Sequence, residues 1–303
     1  MGKVLLLASL ASVLAAGAAI QWGNRTDDQP SVAMRQQSFD RAIGWLKANE
    51  ALVLANGNAA LWWMLQTAAE RSGDAYLHDL VLQSTNLAYG PPDQALPWRR
   101  MIFPTVPTHH PGVSTDELSD YQRVFYHAVT CQPVRLDDGD TTRFIRQNMC
   151  RPQFSHVWMQ DPVCTTHQLM GVRLIERAGC AVGSADLPAL KADLLSDIQQ
   201  QMRWDVVVKD AYIQRVLMLY WAGGADMVKP IWLRRVFMAQ QVDGGWTGRQ
   251  QVPELPAWGQ PNVVLTQVAA AVPGMAHRQF EMSDFHATAQ GLLLAALSLP
   301  AKP

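Results

Sequence analysis

The sequence predicts an all-α protein built from repeated helical hairpins, and three observations carry that expectation. Apolar residues recur at three- and four-residue intervals along most of the chain, nothing alternates for long with the period of a strand, and the apolar runs end repeatedly at glycine. The helix ends also form a loose series. AAERSG ends at Gly73, YHAVTC at Cys131, LIERAG at Gly179, LYWAGG at Gly223 and LLLAAL at Leu297, in steps of 58, 48, 44 and 74 residues. Each step holds two helices and two loops, which implies stacked helix pairs sharing a core.

Three architectures fit such a series. If it closes on itself the fold is an α/α toroid, and if it stays open it is an α-solenoid. If the repeat is an accident of Ala/Leu helices ending in Gly, the fold is an irregular helical bundle.

Met1-Gly2-Lys3, the apolar run Val4 to Ile20 and polar Gln21 to Asp28 read as a secretory signal peptide with Ala16-Gly17-Ala18 at the cleavage site. The alternative is an uncleaved N-terminal anchor, since 17 apolar or small residues lie at the short edge of a membrane span. Either places the folded part outside the cytoplasm, periplasmic or secreted, with a membrane tether in the second case. Residues 1–20 are thus the leader, 21–37 a linker, and 38–303 a single helical domain.

Ser38 opens the first helix, apolar at Phe39, Ala42, Ile43, Trp45 and Leu46. Ala59 to Arg71 forms the second, stopped by Ser72-Gly73-Asp74, and Tyr76 to Leu87 the third. Residues 90–119 carry Pro91, Pro92, Pro97, Pro104, Pro107 and Pro111, a density that predicts a long loop. Helices are then expected over Tyr121 to Thr130, Thr141 to Met149, Thr165 to Ala178, Ala189 to Met202 and Ala211 to Ala222. Ile231 to Gln240 follows, and Asp243-Gly244-Gly245 stops it, leaving Trp246 to fold back on the helix end. Ser283 or Asp284 caps the last helix, which runs through His286 to Leu299 before Pro300. Its small residues Ala287, Ala289, Gly291 and Ala295 allow close packing against a neighbour.

Gln240-x-x-x-Gly244-x-Trp246 resembles the QW repeat of terpenoid cyclases and related α/α toroids, where a Gln caps a helix end and a Trp stacks across the turn. The resemblance covers residues 230–300 and implies a toroid whose inner helices start at one mouth. The acid clusters DxDD and DDxxD of that family are absent, and Asp137-Asp138-Gly139-Asp140 matches neither.

Composition bounds the function. At 303 residues, 49% hydrophobic and 17% charged, the chain has the makings of one large core. A formal net charge of −1 gives nucleic acid no basic surface to hold, so no nucleic-acid partner is expected. Eleven Trp and thirteen Met suit irregular helix interfaces or apolar pockets. Four cysteines in an exported chain predict two disulfides. Cys131–Cys150 with Cys164–Cys180 is the preferred pairing. A helix between Cys164 and Cys180 would hold them about 24 Å apart, so Cys150–Cys164 with Cys131–Cys180 competes.

The catalytic candidates are His167 and His286, both at or just before the start of an Ala/Leu-rich helix, with Asp161 and Asp284 as acids. An imidazole at a helix start is suited to acting as a general base or as a donor to an anion. Capping by Asp284 and interhelical hydrogen bonds by the histidines are the plainer alternative. His156, His127, Trp158 and Trp246 are ligand-binding candidates, and His109-His110 with His127 form a second, weaker cluster. No cofactor is expected. The exception would be zinc on Asp161-x-x-Cys164-x-x-His167, ligand types that the protein prenyltransferases, similar in fold, use for theirs. Phosphate loops, GxSxG elbows and HExxH motifs are absent.

Two functions therefore stand as expectations. One is a binding protein whose His-, Asp- and Trp-lined pocket holds a small molecule, a glycan or a peptide. The other is an enzyme of lyase, hydrolase or cyclase type using His167 and His286 with Asp161 or Asp284.

Overall fold

A computed structural model describes residues 17–18, 24, 29–91, 96–106, 115–132, 141–151, 163–183, 185–205, 207–248 and 283–300. Most of the leader, the Pro-rich stretch 252–262, and His109, His110, His156, Trp158 and Asp161 lie outside these residues. Among the described residues the structure is helical, with an isolated extended bridge between Trp246 and Asp284.

Local signals in the chain account for most helix limits. α1 spans Val32–Ala48, starting at Ser31, whose side chain accepts from the Met34 amide, rather than at Ser38 as expected. Residue Asn24, in the expected linker, is buried: its Nδ2 donates to the Arg203 carbonyl at 2.9 Å and its Oδ1 accepts from Arg235 at 2.6 Å. After the short α2 (Glu50–Leu54), Asn58 caps α3 (Ala59–Ser72), which ends at Gly73 in the left-handed region. Asp74 caps α4 (Ala75–Tyr89), and the Tyr89 hydroxyl returns to donate to the Gly57 carbonyl at 2.6 Å, closing an antiparallel hairpin. The expected Pro-rich loop contains a short helix, α5 (Arg99–Ile102), which begins two residues after Pro97 and stops before Pro104. Proline is compatible with such flanks because it lacks only an amide that a helix start leaves unpaired anyway.

α6 (Asp120–Thr130) starts with Ser119 and Gln122 hydrogen-bonded to each other, and α7 spans Thr141–Arg146. α8 (Cys164–Ala178) ends at Gly179, and Asp186 caps α9 (Leu187–Met202). α10 (Asp210–Met218) widens into a π turn, Leu219–Gly223. α11 (Pro230–Met238) and α12 (Phe285–Ser298) complete the set.

Five of these helices point the same way. α3 packs on α12, α12 on α10, α10 on α8 and α8 on α6, while α5 touches both α6 and α3. The starts of α3 and α12 meet through Trp62 and Phe285, ring centroids 5.5 Å apart, and their ends through Arg71, which donates to the Leu299 carbonyl. α12 and α10 meet at His286 and Asp210, α10 and α8 at Gln214 and Thr166, α8 and α6 at His167 and Tyr121. α1 and α9 run against them. Arg35 near the start of α1 reaches Ser298 at the end of α12, and Gln201 at the end of α9 donates to Thr165 at the start of α8.

The disulfides join Cys131 to Cys180 and Cys150 to Cys164, with Cα–Cα distances of 5.1 and 5.7 Å. This corrects the preferred pairing. α8 separates Cys164 from Cys180 along its whole length, whereas parallel α6 and α8 bring their C-terminal ends, and so Cys131 and Cys180, together. Two disulfides fit an oxidising compartment, and no described helix is long and apolar enough to cross a membrane.

Trp246 pins three segments. Its side chain is wholly buried, its Nε1 donates to the Val236 carbonyl at 2.7 Å, and its amide donates to Thr288 Oγ1 at 3.0 Å. A Cβ at Gly291 would lie 2.6 Å from the indole, so that position admits glycine alone without a shift. Gln240 Nε2 spans the turn, donating to the carbonyls of Ser38 and Gly244 at 2.8 and 2.7 Å. Asp243 collects Trp45 Nε1 at 3.2 Å and the Ser283 hydroxyl at 2.6 Å, tying α1 to the start of α12.

Candidate functional site at the shared helix starts

The start of α12 is shaped by Asp284. Its Oδ1 accepts from the Ala287 amide at 2.8 Å and its Oδ2 from the Gly248 amide at 2.6 Å, so both oxygens are engaged in capping and in holding the preceding loop. Asp284, expected as a catalytic acid or as a helix cap, is the N-cap of α12. Gly248 in turn accepts from the Asp210 amide at 3.2 Å, which sets the first residue of α10 beside the first turn of α12.

That placement brings Asp210 to His286. The imidazole Nδ1 lies 2.5 Å from Asp210 Oδ1, and Gln290, one turn further along the same face of α12, donates to the same oxygen at 3.0 Å. The His286 side chain is 43% exposed and that of Asp210 27%, while Gln290 is buried and its Oε1 has no partner among the described residues. Partial burial works against charge on His286; the hydrogen bond it donates to Asp210, the Asp210 charge and that of Asp284 outweigh it, raising the imidazole pKa above its ordinary value. A carboxylate on Nδ1 fixes the ring's orientation and turns Nε2 away from α10.

His167 occupies the first turn of α8, at the same end of the molecule, in a different setting. It stacks on Tyr121 with centroids 4.8 Å apart and planes 14° apart, and Phe125 meets it edge-on at 6.2 Å. Between the two histidines lies a buried link, Thr166 Oγ1 donating to Gln214 Oε1 at 2.9 Å. His286 is thus paired with Asp210 on α10 and His167 stacks on aromatic rings of α6, at the same end of the molecule.

The remaining candidates separate further. His127 sits in the last turn of α6, at the end opposite Tyr121, where its Nδ1 donates to the Gln132 carbonyl at 2.7 Å. Trp246, expected to line a pocket, is enclosed by α11 and α12 and faces no solvent. Asp161, His156 and Trp158 lie outside the described residues. The zinc set loses its thiolate, because Cys164 is bonded to Cys150, and among the described residues no three His, Cys, Asp or Glu side chains gather as a metal-binding group. A groove of about 420 Å³ lined by Val32, Phe39, Arg71, Asp74, Leu299 and Pro300 lies at the opposite end, beside the close of α12.

Asp210 and Gln290 are the functional candidates that sequence reasoning missed. Gln290 stands four residues after His286, a spacing that shares a helix face, so that part was readable. Asp210 carried only the weaker signal of an acid at a helix start.

Compared with known protein families, characterised proteins and solved structures, the chain matches none of them.

Proposed function

We propose that the protein is an exported ligand-binding protein of α/α-toroid architecture, holding a polar ligand at a mouth formed by the starts of its parallel helices. The observation that carries this is the half-exposed His286–Asp210 pair at the shared start of α10 and α12. Partly exposed charged groups in fixed mutual geometry, at a place where several elements converge, are the usual anchors of a binding site. Support for the toroid comes from the run of contacts α3–α12–α10–α8–α6, with α5 touching both ends, and from the Gln240–Trp246 turn, which packs as a QW-type repeat would require. Support for export comes from the apolar N-terminal run and the two disulfides.

A second reading is favoured by one specific observation, the carboxylate on His286 Nδ1. Such a pairing leaves Nε2 to take or give a proton, as in acid–base catalysis.

The test is a screen of the full chain against a chemically mixed set of sugars, amino acids, peptides and organic anions, followed through the His286 ring resonances by NMR. A ligand that shifts those resonances and binds at least about tenfold more weakly to His286→Gln, the loss expected for one charge-assisted hydrogen bond, supports the site. Ligands that bind with the His286 signals unmoved overturn it. Turnover of any bound compound, abolished in the same variant, selects the second reading.

A further inference from the structure

We propose that the N-terminal apolar run stays on the chain as a membrane anchor and that the helix-start end of the domain rests on the lipid bilayer, with Trp204 at the membrane–water boundary. The inference rests on the export reading above and is independent of the ligand site at His286.

The seat of the segment after the run gives the first step. Asn24 is buried, donating to the Arg203 carbonyl at 2.9 Å and accepting from Arg235 at 2.6 Å. It follows Ile20, the last residue of the run, by four positions, and four residues reach at most about 14 Å. The run therefore leaves the domain beside Arg203. Gly17, inside the run, lies at the same place: a Cβ there would stand 3.8 Å from Trp204 Cζ3, in van der Waals contact.

The surface around that exit gives the second. Trp204 directly follows α9, at the end where Gln201 reaches Thr165 and α8 begins, and it is 50% exposed despite the run beside it. Tyr121, 44% exposed, opens α6 at the same end. Val242, 97% exposed, adjoins Asp243, which holds Ser283 at the head of α12. A half-exposed tryptophan where an apolar segment emerges is the arrangement of the aromatic belt at a bilayer boundary, and the sequence adds Trp22 two positions past the run. The 17-residue run makes about 25 Å of helix, close to the ~30 Å of a hydrocarbon core, with Lys3 before it to reach the far headgroups. Asp210 and Asp243 stand at the same end and the net charge is −1, so the tether and apolar contacts, rather than attraction to anionic lipid, hold the domain down.

The experiment produces the full chain, leader included, in an export-competent host cell and measures the intact mass of the protein that remains in membranes washed with alkaline carbonate. The expected mass includes residues 4–20. The same chain, purified in detergent, is then placed in phosphatidylcholine vesicles with brominated acyl chains, which quench indoles at the boundary. Quenching of tryptophan fluorescence should be smaller in Trp204→Phe, and Val242→Trp should add a quenched indole, with thermal melts verifying that both variants fold. A soluble exported chain lacking the run overturns the anchor and leaves export standing, whereas an intact chain in the cytosol overturns export as well. An anchored chain whose quenching is unaltered in both variants overturns the docked face. Should Trp204→Phe fail to fold, Val242→Trp, at an almost fully exposed position, decides alone.

Discussion

Two faces of α12 present opposite solutions to the same problem of placing polar groups at a helix start. On one face Thr288 and Gly291 receive Trp246, whose indole N–H, amide and carbonyl are all hydrogen-bonded and whose ring leaves no space for even a Cβ at residue 291. On the other, His286 and Gln290 face α10, where the imidazole remains 43% exposed and a buried amide oxygen goes unpaired. The first face is complete in itself and therefore acts on stability. The second leaves the imidazole partly in solvent, and the proposed binding site rests on it. Because the faces share one helix, substitutions on them separate stability from binding with little change in anything else.

The largest effect should come from emptying the closed face. Trp246→Ala removes a wholly buried indole and one of the two donors to the Val236 carbonyl; it should lower unfolding free energy by about 3–5 kcal/mol in denaturant titration. A loss under about 1 kcal/mol would mean that the joint is not what holds α11 to α12. Gly291→Val overfills the same contact, with an expected cost of about 1–3 kcal/mol, measured as a drop in Tm. Asp284→Ala should cost about 1–2 kcal/mol, as a lost N-cap does, and would identify Asp284 as a cap if ligand binding survives.

His286→Gln should be the mildest, within about 1 kcal/mol, since the pair is substantially solvated. Its signature is pH dependence. The folded pKa of His286 is raised, so its stabilising contribution is fully present below the ordinary histidine value of about 6.5 and disappears as pH rises through the raised one. The Tm difference between wild type and His286→Gln should therefore shrink from pH 6 toward alkaline pH. A difference that grows instead would contradict a charged pair with Asp210. Trp246→Ala should show no such trend, which makes the two faces distinguishable by pH alone.

Much of this was readable in the residues. Asn58, Asp74 and Asp186 as caps and Gly73 and Gly179 as stops set helix limits through local geometry, which needs no knowledge of neighbours. The Trp246 turn was legible because DGGW puts Gly244 where the backbone runs left-handed and an aromatic ring two residues on. Less legible were α5, hidden among prolines, and the early start of α1, whose first turns hold the polar run Arg35-Gln36-Gln37 and read as linker. His286 was found as a candidate, yet its partner was not, because Asp210 lies 76 positions away and reaches it only through the packing of α10 on α12.

The sequence by itself determined most of the helices, their order, the need for two disulfides and the histidine at the head of the last helix, since spacing, capping and composition are properties of neighbours along the chain. Tertiary structure alone decided which cysteines met, that His167 would face Tyr121 and His286 Asp210, and that Trp246 would be enclosed. Those outcomes depend on which helices run parallel and which ends come together, and that is settled by the burial of apolar faces over the whole domain.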